Sequence, residues 1–155
     1  HSWNLQFAPA AIDTLVLTVY EKYELLAREK SLDLTVRLPD EEVPPILCDE
    51  ERVSQILSIF MDNAISYTPP GGKICLSLCC TGHKVHLSVA DNGPGIPNEE
   101  KKRIFQRFYR RDQARTCKEH FGLGLSIAKE IIRLHKGKLL VTDTPGGGAT
   151  FTVIL

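Results

Sequence analysis

The chain has 155 residues, 43% of them hydrophobic, which suits one domain with a packed core and leaves two domains cramped. Nineteen Lys and Arg balance nineteen Asp and Glu, so no net field draws the chain to nucleic acid or to an anionic membrane, and any electrostatic function must be local. The longest strongly apolar run, residues 56–61, is too short to cross a bilayer.

The chain opens on His1 without an initiator Met or a signal-like segment, which leads us to expect a piece of a longer protein. Five cysteines are present and none forms a paired C-x-x-C metal spacing. Cys75, Cys79 and Cys80 share one apolar run, read as reduced core thiols in a reducing compartment.

A short strand is expected over residues 3–7. Ile12, Leu15, Val16, Val19, Tyr23 and Leu26 then follow helical spacing, with Pro9 suited to a first turn and an end near Lys30. Leu32, Leu34, Val36 and Leu38 alternate with polar residues as a half-buried strand does, and Pro39 with an acidic loop ends it. A second helix opens after Cys48 and Asp49. It carries Val53, Ile56, Phe60, Asn63 and Tyr67 down one stripe until Pro69-Pro70-Gly71-Gly72 stops it. Residues 73–80 and 84–91 read as a hairpin around Thr81-Gly82-His83. Residues 92–121 show one apolar turn, around Ile104, Phe105 and Phe108, and read as a long, partly helical loop. A third helix runs from Gly122 to a marked end at His135, Lys136 and Gly137. Strands 138–142 and 149–155 close the chain around Pro145-Gly146-Gly147-Gly148. Helices interleaved with antiparallel strands, without regular βαβ alternation, predict a two-layer α+β sandwich.

Four features carry chemistry. Asp91-Asn92-Gly93-Pro94-Gly95-Ile96-Pro97 is a run of turn formers, and a plain turn is one reading. Parity supplies another: Val85, Leu87 and Val89 share a strand face and Asp91 follows on it, so a carboxylate is aimed into the core layer and needs a donor from protein or ligand. Asn63 lies on the stripe of Ile56, Phe60 and Tyr67, as a satisfied core amide or as a ligand. Gly122-Leu123-Gly124-Leu125-Ser126 precedes a helix; its glycines serve close helix packing or leave backbone N–H groups for a phosphate. Residues 101–118 hold eight Lys or Arg and one Asp, a net +7 against −7 for the rest. This segment is open to three readings: a solvated face, a nucleic-acid patch, or a lid over phosphates. The flanking glycine motifs favour the lid.

With these motifs in this order, the sequence resembles the catalytic ATP-binding domain of two-component sensor histidine kinases, in the GHKL or Bergerat-fold ATPase superfamily. Residues 55–69 resemble its N box, 91–95 its D-x-G-x-G box, 104–110 its F box and 122–129 its G-L-G-L box. Gly148 and Thr150 resemble the glycine and threonine that close the pocket. The resemblance covers nearly the whole chain as a single domain. It implies a mostly antiparallel sheet of about five strands on three helices, with a long ATP lid.

The resemblance also implies an ATP site built from Asn63, Tyr67, Asp91, Gly93, Gly95, Ile96, Arg107, Phe108, Arg110, Gly122, Leu123, Gly124, Leu125 and Thr150. Asp91 would accept from the adenine amino group, and Asn63 would ligate Mg²⁺ bridging the phosphates. The implied reaction passes the γ-phosphate to a histidine on upstream dimerisation and phosphoacceptor helices, with a response regulator as the next partner. The implied parent is a homodimeric, membrane-anchored sensor kinase whose cytoplasmic portion contains this domain; the fragment itself is expected to be monomeric and to bind no nucleic acid. Two positions depart from the pattern. Ile59 stands where these kinases have another Asn and hydrolytic relatives a Glu base, and Ser66 stands where a Lys commonly reaches a phosphate. Ile59 disfavours a water-activating ATPase. Both departures leave open a regulatory module that binds nucleotide with little phosphotransfer.

Overall fold

A computed structural model describes residues 4–106, 109 and 123–155. Strand β1 (Ala8–Ala10) enters and helix α1 (Ile12–Glu29) follows, turning Ile12, Leu15, Val16, Val19 and Tyr23 to the core as their spacing requires. Strand β2 (Asp33–Arg37) and the short β3 (Ile46–Cys48) lead to helix α2 (Glu50–Tyr67). The Asp49 carboxylate caps α2 by accepting from the Arg52 N–H, and Glu50 and Glu51 sit in its first turn, where negative charge suits the helix dipole. Strands β4 (Lys73–Thr81) and β5 (Lys84–Asp91) form the expected hairpin. Two 3₁₀ turns follow, Asn98–Glu100 and Arg103–Phe105. Helix α3 (Gly124–Leu134) and strands β6 (Lys138–Asp143) and β7 (Ala149–Ile154) complete the described elements.

The main sheet has the order β2-β4-β5-β7-β6, antiparallel except for the parallel β2–β4 pair. Its inner face presents Ile74, Leu76 and Leu78 from β4, Val85, Leu87 and Val89 from β5, and Phe151 and Val153 from β7. These residues pack on the buried stripes of the helices, among them Phe60, Leu57 and Ile131, in one continuous core. Full burial of each such side chain stabilises the fold by about 1.5–3 kcal/mol. The outer face carries small polar side chains, and the Ser88 and Thr152 hydroxyls hydrogen-bond across β5 and β7 at 2.8 Å. This is the two-layer α+β sandwich expected from the sequence.

Three expectations need correction. The entry strand is residues 8–10 rather than 3–7, and Pro9 lies in it rather than in the first turn of α1. Pro9 is tolerated because β1 pairs only with β3, in a separate two-stranded ribbon where one missing N–H disrupts little. The segment expected to be an acidic loop contains β3, whose three residues are too few to show a period. Finally, Cys79 and Cys80 are exposed and Cys75 half-buried, because Cys75 and Cys79 alternate onto the outer sheet face opposite Ile74, Leu76 and Leu78, and Cys80 lies at the hairpin end of β4; of the described cysteines only Cys48 is buried. Among the described residues, no helix is long and apolar enough to cross a membrane.

Candidate functional site

The alternation of β5 delivers Asp91 to the inner face, where it is 4% exposed. Its Oδ1 accepts from the Gly93 N–H at 2.9 Å and from the Ala149 N–H at 3.2 Å, which fix the carboxylate's orientation. None of the described residues donates to Oδ2. One carboxylate oxygen is thus held by backbone, and nothing among the described residues occupies the other.

The surrounding backbone is close-packed in a way that requires glycine. Gly148 has φ +112°, and a Cβ there would lie 1.9 Å from the Asp91 carbonyl oxygen. A Cβ on Gly93 would come within 3.1 Å of the Tyr67 carbonyl and 3.2 Å of Asp91 Oδ1. The turn after β5 and the turn before β7 therefore touch backbone to backbone. Ile96 is buried beside them.

On α2, Asn63 faces inward and is 6% exposed. Its Nδ2 is buried without a hydrogen-bond partner among the described residues, which is unusual for a buried amide and marks a group left for something else. The Thr68 hydroxyl, just past the end of α2, is likewise buried without a partner among the described residues. Tyr67 is half-buried at the end of the same stripe. One turn before Asn63, Ile59 lies so that its Cγ2 would be 3.4 Å from a Cβ on Gly124. The helix bearing Asn63 therefore meets the start of α3. There, no side chain caps the helix: Leu123 occupies the cap position, and Ser126 turns its hydroxyl back to the Leu123 carbonyl at 2.8 Å. The first-turn N–H groups of Gly124 and Leu125 are those an anion can use.

Between these poles, Ile104 is buried and the Phe105 ring meets Phe151 edge-on at 6.1 Å, with Phe60 5.3 Å from Phe151 on its other side. The Tyr109 hydroxyl donates to Glu100, with Arg103 5.7 Å over the Tyr109 ring. Lys101 joins Asp143 at 2.9 Å. The start of the basic segment is thus tied to the body by aromatic and ionic contacts. Arg107, Phe108, Arg110 and Gly122 lie outside the described residues, as does most of the expected lid.

Thr150 is not brought to this site. The period of two sends its side chain to the outer sheet face, where its hydroxyl pairs with Thr144 at 2.9 Å. Its neighbour Ala149 contributes instead, through a backbone N–H that no sequence pattern announces. Thr68 also went unmarked, since a threonine after a helix reads as an ordinary stop.

Among the described residues, no group of three or more His, Cys, Asp or Glu could hold a metal alone. Asn63 offers one neutral oxygen, which fits Mg²⁺ only when phosphate and water oxygens complete an octahedral shell.

The histidine kinase-, DNA gyrase B-, and HSP90-like ATPase family matches residues 48–155, a stretch that runs from the cap of α2 through β7. The chain belongs to this family. The similarity extends to curated relatives: the adaptive-response sensory kinase SasA of Crocosphaera subtropica is 46% identical over 136 residues, 86% of this chain and 35% of that protein. Among solved structures, the catalytic domain of histidine kinase ThkA superposes with a TM-score of 0.85 at 30% identity, covering 97% of this chain and 95% of that one. A further structure holds ThkA with the response regulator TrrA. Full-length ShkA in complex with AMPPNP gives a TM-score of 0.86 at 32% identity, covering 99% of this chain and 32% of that one. The chain spans about a third of the length of the SasA relatives it matches. The fold is that of histidine kinase catalytic domains within the family.

Proposed function

We propose that this chain binds MgATP and, within a longer sensor histidine kinase, donates the γ-phosphate to a histidine on dimerisation and phosphoacceptor helices of the same protein. The observation that carries this reading is Asp91: an inward carboxylate with one oxygen fixed by two backbone N–H groups and the other without a donor among the described residues. Such a group suits the exocyclic amine of adenine, and the close-packed glycine turns support this reading by holding the carboxylate in one place. Ile96 and Tyr67 line the base. Asn63 and the uncapped start of α3 lie at the phosphate end, and Asn63 would hold Mg²⁺ together with phosphate oxygens. When bound, the metal supplies the positive charge that neutralises the transferring phosphoryl group. Arg107, Arg110 and Phe108 belong to the proposed lid. A response regulator is the proposed recipient of the phosphoryl group downstream, and a cytoplasmic position beneath a membrane-anchored sensor is part of the same reading.

Ile59 supports a second reading. An apolar residue packed against Gly124 removes a polar group from the metal end, as in a module that binds nucleotide and regulates with little phosphotransfer. Autophosphorylation of the full parent separates the two.

Calorimetric titration tests the nucleotide site. ATP should bind much more tightly than GTP, which carries a carbonyl where adenine has its amine. Asp91→Asn should weaken ATP roughly tenfold to a hundredfold, the cost of a lost hydrogen bond to a charged acceptor. Asn63→Ala should weaken binding with Mg²⁺ more than without it. Equal affinity for ATP and GTP in the unaltered chain overturns the assignment of Asp91.

A further inference from the structure

β6 is the outermost strand of the main sheet beside β7, and no described strand lies beyond it. The ladder tells which of its backbone groups are taken. Val85 and Leu155 exchange both of their backbone hydrogen bonds at 3.0 Å. By the alternation of an antiparallel pair, β7 therefore bonds to β5 through Phe151 and Val153 and to β6 through Thr150, Thr152 and Ile154. The Ala149 N–H agrees, since it turns away from β6 to reach Asp91. Register then divides β6: Lys138, Leu140 and Thr142 turn their N–H and C=O groups to β7, while those of Leu139, Val141 and Asp143 point out of the open edge. Among the described residues no backbone group answers those of Leu139 and Val141 there.

The side chains alternate in the other direction. Leu139 and Val141 pack inward on the core, and Leu140 between them stands on the outer face, 44% exposed. Natural sheets blunt an open edge with charge, proline or a bulge. At the opposite edge, β2 sets Asp33, Thr35 and Arg37 on its outer face, so no apolar side chain is shown there. β6 carries charge only at its two ends, Lys138 and Asp143, and its middle, Leu139-Leu140-Val141, is apolar on both faces.

We propose that the open edge of β6 is a self-association surface, on which a second copy of this chain adds its own β6 antiparallel across a two-fold axis. Charge selects the direction: antiparallel strands bring Lys138 toward the second copy's Asp143 at each end, whereas parallel strands in register set like charges side by side. An axis perpendicular to the sheet keeps the helices of both copies on one side, which requires odd positions to meet odd ones. The register centred on Leu140 sets Leu139 against the second copy's Val141, and Val141 against its Leu139. Each of these two pairs exchanges two hydrogen bonds through groups that already point outward, four in all. Leu140 then lies on its own mate at the closer, non-hydrogen-bonded spacing and is covered by an apolar side chain. Registers centred one residue to either side set Leu140 against Thr142 or Lys138 instead. In the favoured register the two five-stranded sheets join into one.

A contact of one strand per copy falls below the roughly 1,200–2,000 Å² of a stable complex. Dilute chains therefore stay monomeric, and pairing rises with concentration or with any tether that holds two copies together. Neither Asp91 nor Asn63 takes part, so the surface stands apart from the nucleotide reading.

Sedimentation equilibrium of the chain from about 10 μM to about 1 mM should show reversible dimer formation. Over the same range, NMR-detected amide exchange should become slower at Leu139 and Val141, while Leu140 and Thr142, bonded to β7, stay protected throughout. Leu140→Arg and Leu140→Glu, both at an exposed outer-face position, should each weaken dimer formation at least about tenfold, because the two-fold axis sets like charges together. An equimolar mixture of the two variants should recover the lost affinity, since each then meets its opposite. Absence of a dimer across the range, exchange at Leu139 and Val141 that ignores concentration, or a mixture that associates no better than either variant alone overturns the proposal.

Discussion

Gly148 is the residue whose chemistry is least negotiable. Its φ of +112° and the 1.9 Å that would separate a Cβ from the Asp91 carbonyl leave no room for any side chain. Gly148→Ala should lower the unfolding free energy by about 3 kcal/mol or more, combining backbone strain with displacement of a packed strand. Urea denaturation measures this, and the surviving folded protein should also bind nucleotide poorly because Asp91 moves. At the same scale the cysteines divide. Cys48 is buried with its thiol pushed up to about 11, chiefly by burial, so it carries almost no thiolate at neutral pH. Mass-spectrometric mapping after brief alkylation of the folded chain should find Cys79 and Cys80 modified and Cys48 intact; modification of Cys48 first would contradict its placement. Asp91 and Asn63 were legible in the sequence because strand and helix periods fix the face a side chain takes. Thr150 misled for the complementary reason: the residue beside it contributes through its backbone, to which side-chain patterns are blind.

At the scale of elements, long periodic segments declared themselves and short ones did not. The stripes of α1 and α2 and the alternation of β5 each extend over enough residues for burial to leave a repeating mark. β1 and β3 have three residues apiece, and their register sets Ala8 against Cys48 and Ala10 against Ile46, far apart in sequence, so nothing local distinguishes them from loop. The junction of α1 with α2 offers a measurable contact. The Tyr23 hydroxyl lies 2.8 Å from Asp62 Oδ1 and 3.1 Å from the Ser58 carbonyl. Tyr23→Phe should cost about 1 kcal/mol of stability. Burial first, and then Asp62, hold Tyr23 protonated well above the usual tyrosine range in the folded chain. The unfolded chain therefore loses this proton first, and the contribution of Tyr23 fades as pH rises above about 10. Urea titrations at neutral and alkaline pH should show the difference between the two proteins shrinking.

For the molecule as a whole, the motif order and the α+β class were readable because three helices and five sheet strands each fit one pattern. The arrangement at the phosphate end was not, since the contact of Ile59 with Gly124 joins residues 65 positions apart. That contact has a kinetic expression. With no carboxylate or amide at position 59 to activate water, the isolated chain should bind ATP yet turn it over far more slowly than about 1 per second. A steady-state phosphate-release assay checks this, and turnover in the ordinary enzyme range would shift the reading toward a hydrolase.

The position of β7 also governs how the protein is made. β7 is the last strand in sequence but lies between β5 and β6 in the sheet, and it supplies the Ala149 N–H to Asp91. A ribosome that has delivered everything up to β6 presents a nascent chain with two unfilled sheet edges and half of its carboxylate clamp missing. Such edges invite pairing with other chains. Synthesis must therefore pass through a stage that needs either speed or a chaperone, and the adenine end of the site comes into being only when the last strand slides into the gap.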